Sequence, residues 1–191
     1  MKQIGHAGMA LAWAAPLTII LGIAASPLLA AGATVIALSV ASLPDTIDFS
    51  TELITHRGGT HTVWFGFIVA IIAGLVVTAG LSVATDSAAT IPDSDSVTAV
   101  LSALPSPVAG GTIAAASAFL GVASHLFADA LTVGRGSNLI RPLWPISNRE
   151  LYYGFTKYDN YWWNYGLFAA GVLCQIVVFA ILIQTTQPLQ S

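Results

Sequence analysis

Five long apolar stretches run along the chain, each separated from the next by a shorter polar segment. They cover residues 6–25, 27–43, 62–84, 107–131 and 162–184. About 20 predominantly apolar residues span the hydrocarbon core of a bilayer, and the last three stretches meet that length easily. The first two are joined by a short turn around Ser26 and are interpreted as a tight helical hairpin. The pattern predicts an all-α, polytopic membrane bundle of about five transmembrane helices, with the whole chain as one membrane-embedded domain.

The first stretch has a second interpretation as a secretory signal peptide. Lys2 would be its basic start and "IAAS" its cleavage site. The stretch is long for the apolar region of such a peptide, so a membrane helix is favoured.

Two of the polar connections differ in character. Residues 85–106 are rich in Ser, Thr, Pro and Asp and carry no basic residue, which predicts a flexible polar loop. Residues 134–161 combine turn-forming residues with many aromatics. This second connection is predicted to be ordered and to lie partly in the membrane interface.

The composition supports a membrane location. The chain of 191 residues is 55% hydrophobic and only 8% charged, whereas about 25% of residues are charged in a typical soluble domain. The net charge of −3 argues against a nucleic-acid partner. The single cysteine, Cys174, lies in an apolar run and permits no disulfide within the chain.

Charged residues are rare enough for their positions to indicate topology. Consecutive segments must cross the membrane in opposite directions. This threading places every basic residue on the face of the membrane that carries the N-terminus: Lys2, Arg57, Arg135, Arg141, Arg149 and Lys157. The opposite face receives Asp86, Asp93 and Asp95 and no basic residue. The positive-inside rule then predicts a cytoplasmic N-terminus and an external C-terminus.

The same threading gathers candidate metal ligands on the cytoplasmic face. They include all four histidines of the chain. The full set is His6, Asp45, Asp48, His56, His61, His125 and Asp129. Such a convergence from separate parts of the sequence is more than isolated polar helix ends would produce, and it predicts a metal site.

Each motif has a plainer interpretation when it is taken alone. In "SHLFAD", His125 and Asp129 are four residues apart on one helical face, where they can share a metal or simply pair with each other. In "LPDTID", Asp45 and Asp48 can bind a cation or cap a helix in a solvated loop. His6, at the predicted start of the first helix, is a candidate ligand only because it lies on the same face as the other candidates.

"HRGGTH" stands directly before the third apolar stretch. Its two histidines, His56 and His61, flank two glycines that permit a tight loop, and a solvated interfacial loop is the alternative. The spacing does not match that of a zinc finger.

Taken in order, these motifs resemble a known family. "GH" at Gly5–His6, "LPDTID", "HRGGTHT" and "SHLFADALT…RPLWP" together resemble the YdjM-like inner-membrane proteins, a LexA-regulated family described as membrane-bound, metal-dependent hydrolases. The resemblance spans residues 5–145. Two departures are Thr62 in place of the usual serine and a longer "VGRGSNLI" before "RPLWP". The resemblance implies a metal and hydrolysis, without a substrate.

Residues and resemblance together predict a metal-dependent hydrolase at the cytoplasmic membrane interface. Zinc is favoured, with manganese or iron as alternatives and one or two ions bound. Asp48 or Asp129 is the expected bridging or proton-accepting carboxylate. Arg57 and Arg135 are candidates for holding an anionic group, although bases beside membrane helices also serve topology. The depth of "HRGGTH" suggests a membrane lipid, phosphate or ester as substrate.

Non-enzymatic roles remain as alternatives. A structural metal site would be closed to small inhibitors. A transporter would place ionisable groups near the middle of the membrane, which this sequence does not. An adaptor would use the aromatic residues around Tyr152 to Trp162, which are more typical of an interfacial belt.

Overall fold

The molecule is a bundle of membrane-length helices with one short strand pair. The computed structural model describes residues 1–50, 58–88, 95–133 and 139–186. The helices are α1 (Gln3–Ala24), α2 (Pro27–Val40), α3 (Leu43–Ser50), α4 (Val63–Ala88), α5 (Asp95–Ser102), α6 (Pro107–Ala130) and α7 (Tyr161–Thr186), with a 3-10 turn over Gly59–His61. The strands β1 (Thr132–Val133) and β2 (Thr156–Lys157) pair in parallel.

The predicted bundle is confirmed, because five helices in the described part of the chain are long and apolar enough to cross a membrane. α2 and α3 together form the second of these spans, Pro27–Asp48. α1 begins three residues earlier than predicted, so His6 lies inside the helix and not at its start. The loop predicted for 85–106 is wrong at both described ends, because α4 continues to Ala88 and residues 95–102 form α5.

Serine caps fix where two of the spans begin. Ser26 Oγ accepts a hydrogen bond from the backbone N–H of Leu29 at 3.1 Å, and Ser106 Oγ accepts one from Ala109 at 3.4 Å. Each serine is followed by proline, which is favoured in the first helical turn because it has no N–H to leave unsatisfied. α2 and α6 therefore start at positions that the local sequence determines.

α6 lies at the centre of the bundle. It contacts α1, α2 and α4, while α7 packs mainly on α1. Close approach depends on glycine. A side chain at Gly121 would overlap the carbonyl oxygen of Ala37 in α2, and one at Gly171 in α7 would overlap that of Gly8 in α1. Such small residues let helix backbones approach closely in lipid, where water does not drive association.

The described residues between β1 and α7, 139–160, cover the C-terminal end of α6 and are called the cap segment here. The backbone N–H of Val63 donates to Pro142 O at 2.8 Å, and that of Tyr153 donates to Ala130 O at 2.8 Å. Ile140, near the start of the segment, is buried against Leu126 and Ala130 of α6. The cap segment is thereby attached to both α4 and α6, next to the ends that carry the polar motifs.

Candidate metal centre

Most of the predicted ligands meet at one end of the bundle. They come from the first turns of α1, from α3, from the 3-10 turn before α4 and from the last turns of α6. The residues brought together are His6, Asp45, Asp48, His61, His125 and Asp129. Every one of them is buried. His56, Arg57 and Arg135, which were also predicted, lie outside the described residues.

Four of these side chains form the inner part of the cluster. Asp45, His61, His125 and Asp129 each present one donor atom, and the four atoms all lie within 4.8 Å of one another. His61 Nε2 is 3.3 Å from Asp45 Oδ1 and 3.6 Å from Asp129 Oδ2. His125 Nε2 is 3.6 Å from the same oxygen of Asp45. Two imidazoles and two carboxylates thus point at one small volume.

A backbone carbonyl sets the orientation of His125. Its Nδ1 lies 2.7 Å from Ala41 O at the end of α2. Because a carbonyl can only accept, Nδ1 carries the proton, and Nε2 is left with its lone pair toward the cluster. A second partner of this kind is what fixes a metal-binding histidine in the correct tautomer.

Asp48 and Thr60 orient His61 in the same way. His61 Nδ1 lies 3.2 Å from Asp48 Oδ2, and the Thr60 hydroxyl donates to the other oxygen of Asp48. Asp48 therefore lies on the far side of His61 from the four inner donors, and its geometry suits an orienting role better than the bridging role predicted for it. The nearby hydroxyl of Thr62 accepts from the N–H of Phe65 at 3.2 Å, so the threonine still caps α4.

The inner donors would repel one another without a proton or a cation between them. His61 Nε2 and His125 Nε2 are 3.2 Å apart. Burial by itself lowers the pKa of His61, but the neighbouring carboxylates of Asp129, Asp45 and Asp48 outweigh it and raise the pKa to about 10. Without a metal, the cluster thus holds a proton on His61. A divalent cation would replace that proton.

His6 completes the cluster from α1. It is fully buried and stacks on His125 with ring centroids 3.9 Å apart. Its Nε2 is 3.3 Å from Asp129 Oδ1 and 3.7 Å from Asp45 Oδ2. Among the described residues, neither ring nitrogen of His6 has a hydrogen-bond partner, and neither does Asp45 Oδ1. Buried donor atoms that converge in this way are available to a cation, so the residues present fit a metal ion.

Two supporting residues were not predicted. Asn164, fully buried in the first turn of α7, accepts a hydrogen bond from the backbone N–H of Lys2 at 2.9 Å and donates to Tyr158 O at 3.0 Å. It thereby fixes the start of α1, one turn before His6. Its only sequence signal is an amide within an apolar run. Thr60 lies within "HRGGTH" but is not a ligand type, so the motif gave no reason to select it.

The fold and the cluster define a polytopic helical membrane protein with a buried histidine–carboxylate centre that can hold a metal ion. The family model described as "YdjM inner membrane protein" matches residues 1–188, and the chain belongs to that family. The resemblance drawn from the motifs is therefore confirmed. Neither the curated proteins nor the solved structures include a match to this chain.

Proposed function

We propose that this protein is a membrane-bound, metal-dependent hydrolase that acts at the cytoplasmic interface of the membrane. The observation that carries the proposal is the buried set of four convergent donors, Asp45, His61, His125 and Asp129, within 4.8 Å of one another. Burying so many ionisable groups at the end of a membrane bundle is costly, which favours a functional role over a structural accident.

The donor set indicates the class of metal. Imidazole and carboxylate without thiolate suit zinc, manganese or iron better than copper(I), and we favour zinc. When bound, such an ion supplies a Lewis acid that makes water a nucleophile near neutral pH. His61 and His125 would present Nε2 to such an ion, because Asp48 and Ala41 O occupy the opposite ring nitrogens.

Asp45 marks the accessible side of the centre. Its side chain is 12% exposed, whereas those of His6, His61, His125 and Asp129 are at most 2% exposed. A cleft of about 360 Å³ lies in the neighbouring turns of α1 and the α2–α3 junction. Its wall contains Ala41, whose carbonyl also holds His125. We propose this cleft as the approach of a substrate group to the centre, because Ser42 in its wall precedes Asp45 by three residues.

The cleft lining favours an amphiphilic substrate. Ile4, Ala7, Leu38 and Ala41 are apolar, and only Gln3 and Ser42 add polar groups. The cleft lies between helices of membrane length. An ester or phosphoester of a membrane lipid matches this lining, because its head group lies at interface depth and its chains lie in the apolar layer.

The cytoplasmic location of the centre is part of the proposal. It rests on the six basic residues that the threading brings to one face. In support, the described bases Lys2, Arg141, Arg149 and Lys157 occur at the start of α1 or in the cap segment, the same end as the cluster. Arg57 and Arg135 stay as candidates for binding an anionic group.

The test uses the full chain, purified in detergent and loaded in turn with zinc, manganese or iron(II). Chromogenic carboxyl esters and phosphodiesters are assayed first, and then phospholipid vesicles. We expect hydrolysis by the loaded wild type, a loss of about 100-fold or more in Asp129→Asn, and wild-type rates in Asp86→Asn, whose residue is exposed on α4. Equal background rates in all three proteins across every substrate class would refute the hydrolase.

A closed structural metal site is the second candidate, favoured by the near-complete burial of His6, His61 and His125. In that case the metal would be needed for stability alone, and phosphate-like inhibitors would not bind. Thermal unfolding with and without chelator, and metal-dependent binding of phosphate or vanadate, separate the two candidates. Stabilisation by metal without anion binding favours the structural role.

A further inference from the structure

The two central carboxylates each face two separate groups of partners. Asp45 Oδ1 lies near His61 and His125, while Asp45 Oδ2 lies 3.7 Å from His6 Nε2. Asp129 divides its oxygens in the same way. Its Oδ2 faces His61 at 3.6 Å, and its Oδ1 faces His6 at 3.3 Å. One pair of oxygens therefore lies on the His61–His125 side of the cluster, and the other pair lies on the His6 side.

We propose that the cluster is a two-metal centre in which Asp45 and Asp129 bridge the ions. His61 and His125 would hold the first ion, and His6 would be the histidine ligand of the second. Carboxylates that present one oxygen to each of two groups of histidine ligands are arranged as bridges. Two-metal sites of this kind act on both the attacking and the leaving oxygen of a displacement.

His6 provides the independent observation for the second position. It is fully buried, neither ring nitrogen makes a hydrogen bond of good geometry among the described residues, and Nε2 faces carboxylate oxygens at ion-pair distance. Leaving a buried ring nitrogen without such a hydrogen bond is unfavourable. Its Nε2 is directed at two carboxylate oxygens that the four-donor set of the first ion does not use. One ligand nitrogen and two anionic oxygens that converge in this way are donors that a second cation could use.

A competing occupant of the His6 side is also visible. The α-amino group of Met1 lies 2.6 Å from Asp129 Oδ1. The protonated α-amino group would balance the charge of this oxygen without a second metal ion. It would still leave the ring nitrogens of His6 without a partner, and it predicts one bound ion where we predict two.

The inference rests on the metal centre of the proposed function, but it does not depend on hydrolysis. The full chain is purified in detergent, stripped with a chelator and titrated with manganese(II). Elemental analysis after removal of free metal gives the number of ions, and electron paramagnetic resonance shows whether they are coupled. We expect two equivalents and an exchange-coupled multiline spectrum in wild type.

His6→Ala removes the second ion selectively. We expect one equivalent, an uncoupled six-line spectrum and a loss of about 100-fold or more in affinity for the second ion only. His6→Gln keeps a polar side chain of similar length and is the control for folding. His61→Ala is the comparison on the other side and is expected to weaken the first ion.

The wild-type measurement decides the question even if a His6 variant does not fold. One equivalent at saturation, or two ions with an uncoupled spectrum, overturns the bridged centre. Two coupled ions without hydrolysis would retain the centre and refute the hydrolase. Hydrolysis by protein with one bound ion would retain the hydrolase and refute the bridged centre.

Discussion

α4 and α6 pack against each other, yet they use polar residues in opposite ways. Over a membrane-length stretch of α6, 56% of residues are buried, compared with 17% over such a stretch of α4. α6 carries His125 and Asp129 inside the bundle, whereas Asp86 of α4 is exposed. The comparison teaches that burial alone does not forbid a charge. Asp129 is tolerated because α1 and the 3-10 turn supply His6 and His61 as neighbours.

The largest difference between the two helices is expected when each aspartate is replaced by asparagine. Asp129→Asn removes a negative ligand from the centre and should weaken metal binding by about 100-fold or more. Asp86→Asn removes the same charge from α4 and should leave metal binding unchanged. Metal content by elemental analysis, with circular dichroism as a check of helicity, measures both. Equal metal content in the two variants would show that Asp129 is not a ligand.

A matched pair of glycines tests the packing difference. Gly121→Ala puts a methyl group against the carbonyl oxygen of Ala37, and overpacking of this kind costs about 1–3 kcal/mol in the free energy of unfolding. Gly80→Ala in α4 has no neighbour within 4 Å among the described residues, so little change is expected. Equilibrium unfolding in mixed detergent micelles compares them. A neutral Gly121→Ala would mean that α2 and α6 are not held at this distance.

Asn164 extends the comparison to α7, a helix that supplies none of the candidate ligands. It supports the centre by holding the start of α1. Asn164→Ala leaves the N–H of Lys2 without its acceptor, loosens the start of α1 and should weaken metal binding about 10-fold. Asn160→Ala, an exposed cap on Trp163, is the control. Metal dissociation constants from competition with a chelating dye provide the measurement. Equal constants in wild type and Asn164→Ala would remove Asn164 from the positioning role.

The last prediction concerns pH. The pKa of metal-free His61 is raised from 6.5 to about 10, so its proton must leave when the metal binds. Metal affinity should therefore rise about tenfold per pH unit from neutral pH toward 10. The stability that the protonated His61 gives the metal-free protein has the opposite sign. It is complete below pH 6.5 and is lost as the pH rises through about 10.

Calorimetric titration in two weakly chelating buffers with different ionisation enthalpies measures the proton release directly. A heat of binding that depends on the buffer, equivalent to about one proton at pH 7.5, is expected. A buffer-independent heat would mean that His61 is already neutral.

Much of the architecture followed from local sequence. The apolar lengths predicted five spans because a bilayer sets the number of residues needed, and serine–proline pairs located the starts of α2 and α6. The failures lie in short polar segments. Residues 95–102 form a helix where a loop was predicted, and residues 43–50 form a short helix that was not predicted. Eight residues carry too little periodicity to separate such helices from loops.

The sequence predicted which residues form the site better than it predicted what each of them does. His125 and Asp129 were selected because ionisable residues are rare in membrane segments and point to function. His61 was selected because its motif reaches the same face of the membrane. The sequence did not separate Asp45, whose oxygens face two groups of histidines, from Asp48, which lies behind His61. The two are one turn apart on α3, so only the position of α3 against the 3-10 turn distinguishes them.

The sequence by itself determined the membrane class, the number of spans, the family and the end of the bundle where the ligands gather. Hydrophobic length and residue type carry this information, and both are local. The tertiary structure decided which oxygen faces which histidine, which ring nitrogen stays available and that Asn164 anchors α1. These depend on helices brought together across more than a hundred residues of sequence, at distances of a few ångströms that no local pattern encodes.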